Sequence, residues 1–269
     1  MKLKNDIPIP EIGLGVYKME AGAEMNAAVG AAYQAGYRLF DTAQMYRNEA
    51  ALGDALKANQ IPRAEVFLVS KVDNDSQWYE PTIDSLHLSL EKLQTSYLDA
   101  FLVHWPGQNT ERTLRTWQAM EELYRQGLTR SIGVCNFEIS QLEFLLSHCQ
   151  IQPMINQIEH TPLFHDETLV SFCKEHDIQV MAWAPLQRGN FGNTVIQSIA
   201  EKYHKTPAQI LLRWNVQQGI IPIPKSKNPA RLTENIAVFD FELEQDDMAK
   251  LNQMNQNRRT SYDPLIFDF

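Results

Sequence analysis

Eight times along the chain a short apolar run is followed by a stretch whose apolar residues recur at helical spacing, and this alternation limits the fold more than any other feature. The runs predict strands at Ile12 to Tyr17, Tyr37 to Phe40, Val66 to Ser70, Leu98 to Val103, Ser131 to Val134, Met154 to Gln157, Gln179 to Trp183 and Ile220 to Ile223. Helical spacing predicts helices over 21–35, 48–58, 80–93, 111–126, 138–147, 166–175, 193–204, 206–218, 229–236 and 244–254. Thr206-Pro207 is a cap residue followed by proline at a first helical position, and Gly219 ends the same helix. Strands that alternate with helices pair in parallel through right-handed crossovers. Eight such units predict a closed α/β (β/α)8 barrel, a TIM barrel, with a short N-terminal hairpin and a C-terminal tail. No linker-like run divides the chain, so residues 1–269 read as one barrel domain. A doubly wound open sheet is the rival. Its dinucleotide fingerprint fails here, because Gly13-x-Gly15 is followed by Val16, Tyr17 and Lys18 with no third glycine.

Composition narrows the partners. The 269 residues are 44% hydrophobic and 21% charged, an ordinary globular mix with material for a sizeable core. A net charge of −9 repels nucleic acid and acidic membranes, so an anionic ligand must meet a local positive cluster. Cys135, Cys149 and Cys173 have no metal-ligand spacing. Their odd number reads as reduced thiols of a cytoplasmic protein, expected to be a monomer with no metal. No 18-residue apolar run and no signal-like segment is present.

In a barrel of this kind, residues at the C-terminal ends of the strands share one mouth. Asp41 follows the second predicted strand, Lys71 the third and His104 the fourth, with Tyr46 on the loop beside them. A phenol is a poor acid, with a reference pKa of about 10. A neighbouring ammonium stabilises the phenolate and lowers that value. Asp41 would hold Lys71 charged and aimed, Tyr46 would give a proton to a developing alkoxide, and a neutral His104 would orient the same oxygen. The alternative is a buried Asp41–Lys71 ion pair that merely closes the barrel top. No nucleophile stands beside a base, which speaks against acyl transfer. The set lacks an electron source, so a reduction needs a bound hydride donor.

The stretches GYRLFDTAQMYRNE (36–49), VSK (69–71), LVHWP (102–106), SIGVCNF (131–137), NQIE (156–159) and IPKS (223–226) together resemble the aldo-keto reductases, in order, from Gly13 to Phe241. The branch most resembled is the microbial one that includes 2,5-diketo-D-gluconate reductases. The resemblance implies a barrel, catalytic Asp41, Tyr46, Lys71 and His104, and NADPH bound without a Rossmann fold. It also implies reduction of aldehydes and ketones, with α-dicarbonyls and keto-sugars among the candidates. The alternative is a non-catalytic NADP(H)-binding regulatory protein on the same fold.

By the same resemblance, Asn136 and Gln157 bind the nicotinamide carboxamide and Trp183 stacks on its ring, with Pro185 and Leu186 beside the cofactor. Lys225, Ser226 and Arg231 surround the 2′-phosphate, and Glu234 and Asn235 the adenine. The basic loop 225–231 opens a helix, which suits a phosphate; taken alone, it reads equally as a solvated basic turn. Tyr17, Trp78 and Trp105 are the expected aromatic substrate pocket, with packing in a loop the alternative for Trp78. Three departures stand out. Cys135 replaces a common serine and weakens one carboxamide hydrogen bond. Ala184 replaces a serine near the pyrophosphate, and Glu159-His-Thr-Pro162 interrupts a stretch that usually reads Glu-x-His-Pro.

Overall fold

The computed structural model describes residues 1–269 and contains eight parallel strands in sequential order. They are β1 (Leu14–Gly15), β2 (Leu39–Asp41), β3 (Phe67–Val72), β4 (Ala100–Val103), β5 (Ile132–Cys135), β6 (Ile155–Glu159), β7 (Gln179–Trp183) and β8 (Ile221–Pro222). The helices are α1 (Ala23–Ala35), α2 (Glu49–Ala58), α3 (Tyr79–Leu93), α4 (Thr110–Arg125), α5 (Ile139–His148), α6 (Glu167–Glu175), α7 (Thr194–Tyr203), α8 (Pro207–Gln217), α9 (Pro229–Ile236) and α10 (Gln245–Asn252). Gly13 N donates to Pro222 O and Gly15 N to Pro224 O, each at 3.0 Å, which joins the last strand to the first. The result is the (β/α)8 barrel that the alternation predicts. No helix is long and apolar enough to cross a membrane.

The strand lengths follow from backbone chemistry. Pro222 and Pro224 have no N–H, so this edge accepts from β1 but donates little. The first predicted strand accordingly shrinks to two residues. The third is longer than its apolar run, because Lys71 lies inside β3 rather than after it. Thr206 caps α8 by accepting from Gln209 N while the Gln209 side chain reaches back to Thr206 N, a reciprocal cap ahead of Pro207.

Strand side chains alternate between two environments. Phe40, Leu68, Phe101, Val134 and Val180 point outward and pack on the inner faces of the helices, including Met25 and Val29 of α1 and Leu86 of α3. Leu39, Phe67, Val69, Ala100, Leu102, Met181 and Ile221 point inward and fill the barrel. The N-terminal segment forms the expected hairpin contact, Lys2 against Pro8, and sends Leu3 and Ile9 into the same inner cluster as a plug. The plug seals one end, so any cavity must open at the other.

Gly133 marks the tightest point of this packing. A Cβ there would lie 2.5 Å from Ile155 O and 2.8 Å from Leu102 Cδ2. The first contact is backbone, so β5 and β6 would have to separate. Gly133→Ala is therefore expected to destabilise the barrel by about 1–3 kcal/mol, the usual cost of overpacking. The midpoint of urea unfolding should fall with an unchanged slope; an unshifted midpoint would show slack between these strands.

Candidate active site

The inward columns end in polar residues at the open end. Two residues above Leu39 stands Asp41, above Val69 stands Lys71, and above Leu102 stands His104. The same step leads from Gly133 to Cys135, from Ile155 to Gln157 and from Met181 to Trp183. Six successive strands thus deliver six functional side chains to one layer. Tyr46 arrives from outside the sheet, at the end of a single helical turn, Gln44–Tyr46, after β2.

Lys71 and Asp41 form a buried pair, with side chains 1% and 5% exposed. Lys71 Nζ donates to both Asp41 carboxylate oxygens and to Thr42 O, all at 2.8 Å. Gln157 Nε2 donates to Asp41 Oδ2, also at 2.8 Å. Burial by itself would discharge Lys71, but the Asp41 charge and its hydrogen bonds, helped by the acidic Tyr46 and Cys135 groups beside it, reverse the effect, and the ammonium is held well above its ordinary range.

Tyr46 packs at 4.8 Å from Tyr17 and 5.7 Å from His104, ring to ring, with Lys71 Nζ 5.1 Å from its own ring centre. The ring keeps a partly exposed edge while the phenol is buried. Burial pushes the phenol above its ordinary range, and the Lys71 charge opposes this without overcoming it. The expectation of a lowered value is corrected here: desolvation of the phenolate outweighs the ammonium. His104 is pushed down to about 3 by burial, with Lys71 adding to the effect, so its imidazole is neutral. Its Nδ1 is buried without a partner, which leaves Nε2 as the nitrogen toward the cavity that His104 lines. The Cys135 thiol is buried, pushed upward by that burial, and forms part of the floor.

A cavity of about 900 Å³ runs from this layer to the basic loop. Asn136, Gln157, Trp183, Pro185, Leu186, Lys225, Ser226, Arg231, Glu234 and Asn235 all line it, as do Asp41, Tyr46, His104, Tyr17 and Trp105. Lys71 lies beneath, sealed by Asp41. Asn136 is held in a left-handed conformation, φ 61°. Its Nδ2 donates to His104 O at 3.1 Å and its Oδ1 accepts from Trp183 Nε1 at 2.8 Å. The second lone pair of that oxygen remains for a ligand amide. Asn228 caps α9 by accepting from Arg231 N. Beside this helix start, the Arg231 side chain has no partner in the chain, and Lys225 Nζ has only Lys18 O at 3.3 Å. Glu234 is already held by Thr206 Oγ1 at 2.7 Å. Two unspent cations at a helix N-terminus suit a phosphate dianion, and the half-exposed Trp183 face suits a flat ring. These residues fit a phosphorylated dinucleotide.

Trp78 does not line the cavity. It is 40% exposed at the start of α3, with φ 142°. Neighbouring residues of an extended chain face opposite ways, and here the inward one is Gln77, whose Nε2 donates to Trp105 O at 2.8 Å. The cavity also takes Met45, Arg188, Phe191, Ser261 and Tyr262, which sequence reasoning missed. All lie in single helical turns, loops or the tail, too short or irregular for periodicity to show direction. The apolar ending of the tail was the one available signal: Tyr262 stacks on Phe267 at 4.3 Å, and Phe267 meets Trp105 at 5.0 Å.

The aldo/keto reductase family model matches residues 11–256. A glyoxal reductase of Bacillus subtilis (strain 168) is 44% identical over 265 residues, 98% of this chain and 95% of that protein. Among solved structures, an aldo-keto reductase from a Medee basin deep-sea metagenome library superposes with a TM-score of 0.96 at 36% identity, covering 100% of both chains. A Bombyx mori aldo-keto reductase in complex with NADP reaches a TM-score of 0.88 at 36% identity, covering 96% of this chain and 93% of that one. With the barrel, the motifs and a family match across nearly the whole sequence in agreement, the chain belongs to the aldo/keto reductase family.

Proposed function

We propose that this NADPH-dependent carbonyl reductase works through Tyr46 as proton donor, with Lys71 and Asp41 as its electrostatic support and His104 as the group that orients the carbonyl. The observation that carries the reading is the sealed Lys71–Asp41 pair directly beneath a phenol that faces a cavity continuous with a basic loop. When bound, NADPH supplies the hydride. Asn136, Gln157 and Trp183 would hold its nicotinamide end, and Lys225, Ser226 and Arg231 its 2′-phosphate. Small aldehydes and α-dicarbonyls are the proposed substrates, in keeping with the glyoxal reductase that the chain resembles.

An acid must be protonated before it acts. The upward shift of Tyr46 guarantees this across the physiological range. As the substrate oxygen gains charge, the Tyr46 hydroxyl gives up its proton. The phenolate left behind is then stabilised by Lys71, which is itself too firmly charged to compete as the proton source. His104 Nε2–H donates to the same oxygen; at a pKa of about 3 it stays neutral and does not add a second positive charge. A non-catalytic role on this fold would leave the acid and its support without purpose, and the intact set of four favours reduction.

Tyr46→Phe keeps the ring and removes the proton. Turnover is expected to fall at least ~10²-fold, the lower range for general acid catalysis, with NADPH binding retained. Near-normal turnover with chemistry rate-limiting would exclude Tyr46 as the acid. The pH dependence gives an independent check. Neither His104, at about 3, nor Tyr46, shifted upward, ionises near neutrality. A chemistry-limited kcat should therefore be flat between about pH 6 and 9, and an ionisation inside that window would assign proton delivery to another group.

The cofactor end has its own test. Arg231 would meet the 2′-phosphate in two-pronged fashion, and a charge-assisted hydrogen bond contributes roughly 1.5–3 kcal/mol. Arg231→Ala is expected to weaken NADPH about ten- to a hundredfold and NADH little, by titration of tryptophan fluorescence. Equal losses would make Arg231 a support of the loop rather than a reader of the phosphate.

A further inference from the structure

One buried carboxylate belongs to neither the proton donor nor the phosphate loop. Glu159 ends β6, two residues above Gln157 in the same inward column, and is only 4% exposed. It does not line the cavity, because Thr260 of the C-terminal tail sits on it. Thr260 N donates to both carboxylate oxygens at 3.1 Å, and Thr260 Oγ1 donates to Oε1 at 2.5 Å. Thr260 O accepts from Arg188 Nη2 at 2.9 Å. Every polar atom of this one threonine is thus engaged. Arg188 and Arg259 are the charged groups that face Glu159; Arg259 is itself taken by Glu138, at 2.5 Å.

A carboxylate taken from water needs donors, and Thr260 supplies all that Glu159 has. The tail is therefore fixed at Thr260, and the next two residues are the ones that enter the cavity wall. Ser261 and Tyr262 line it, and Tyr262 meets Trp105 edge to face at 6.0 Å. Farther on, Gln108 Nε2 and Gln141 Nε2 both donate to Pro264 O, at 3.2 and 3.0 Å. Thr260 on one side and Pro264 on the other leave Tyr262 little freedom.

Building on the reading of this cavity as the carbonyl site, we propose that Glu159 and Thr260 are specificity-determining positioning residues. They pin the tail so that Tyr262 and Trp105 form one continuous aromatic wall, and that wall selects carbonyl compounds that carry a planar apolar group. Glu159 acts through Thr260, and Thr260 through Tyr262; neither touches the substrate.

The test uses the full chain, with phenylglyoxal and glyoxal as the paired substrates. Thr260→Val removes the hydroxyl donor at nearly constant shape. It should raise KM for phenylglyoxal about tenfold while the NADPH dissociation constant stays within about twofold, and the KM ratio of phenylglyoxal to glyoxal should rise. Tyr262→Ala should raise the phenylglyoxal KM at least as much. The double variant should lose no more than Tyr262→Ala alone, since the two act in series. Additive losses, or a fall in kcat with KM unchanged, would overturn the proposal. Amide hydrogen exchange gives a second readout that needs no turnover. In Glu159→Gln the segment 260–267 should exchange faster than in the wild type, and unchanged protection would equally overturn it. A wild-type protein that reduces neither substrate, with the tail still released in Glu159→Gln, would instead remove the carbonyl-site reading and leave the latch standing.

Discussion

The molecule depends on the small interior of a closed eight-stranded barrel. That space takes one side chain from every second residue of each strand and little else. At the lower levels the occupants are apolar, and Leu3 and Ile9 plug the end. At the top level, one step further along the same columns, they are Asp41, Lys71, His104, Cys135, Gln157 and Trp183. The active layer is the last layer of the core. Its geometry is therefore inherited from strand register and needs no separate scaffold. This also explains the glycines at Gly13, just before β1, and at Gly133, the lower inner position of β5. A Cβ on Gly13 would meet Leu39 Cδ2 at 2.3 Å, and one on Gly133 would meet the β6 backbone. Larger residues there would shift the register on which the layer relies.

Placing a lysine at the top of a core is costly, since an isolated ammonium in such surroundings gives up its proton instead of its solvation. Here three oxygen acceptors at 2.8 Å surround Nζ, two of them from Asp41. Burial and pairing pull its pKa in opposite directions, and pairing wins. For Tyr46 the same two influences act and burial wins, because the pull of the Lys71 ammonium is smaller than the cost of desolvating the phenolate and is opposed by the Asp41 charge. The difference serves catalysis. A charged lysine that cannot leave and an acid that stays protonated until needed both follow from which partner each group has. As a contributor to net stability such a pair is weak, but breaking it by removing one partner would leave a buried charge alone.

How much of this was legible in the sequence depended on periodicity. The eight units, the capped helix at Pro207 and the polar strand ends at Asp41 and His104 all showed in local pattern, because strand and helix periods point residues in known directions. Lys71 was found but placed one step late: its polarity ended the apolar run, although the strand continues to Val72. Trp78 was expected in the pocket and is not there, because the chain turns at Gln77–Trp78 and parity reverses which neighbour faces in. Tyr262 was invisible for the opposite reason. Its direction comes from the long-range bonds of Thr260 and Pro264 to residues more than 100 positions away, and no local pattern encodes them.

Charge is divided along the cavity in a way that fits a dinucleotide and a neutral carbonyl compound at its two ends. The chain carries −9 overall, yet the far end of the cavity presents Lys18, Lys225, Lys227 and Arg231. Lys227 is spent on Glu24, whereas Arg231 has no partner and Lys225 makes only one weak contact with a carbonyl, so these two, with Lys18 nearby, are left for an anion. At the near end the only ammonium is Lys71, and Asp41 cancels it. The substrate end therefore offers mainly hydrogen bonds and rings, with the Arg188 guanidinium, bonded to Thr260 O, in its tail-side wall. An anionic group entering the cavity gains at the basic loop and gains nothing beside Tyr46. Such a gradient orients a phosphate-bearing cofactor before any contact with its ring is made, and it leaves the acid facing a carbonyl group whose charge appears only as the reaction proceeds.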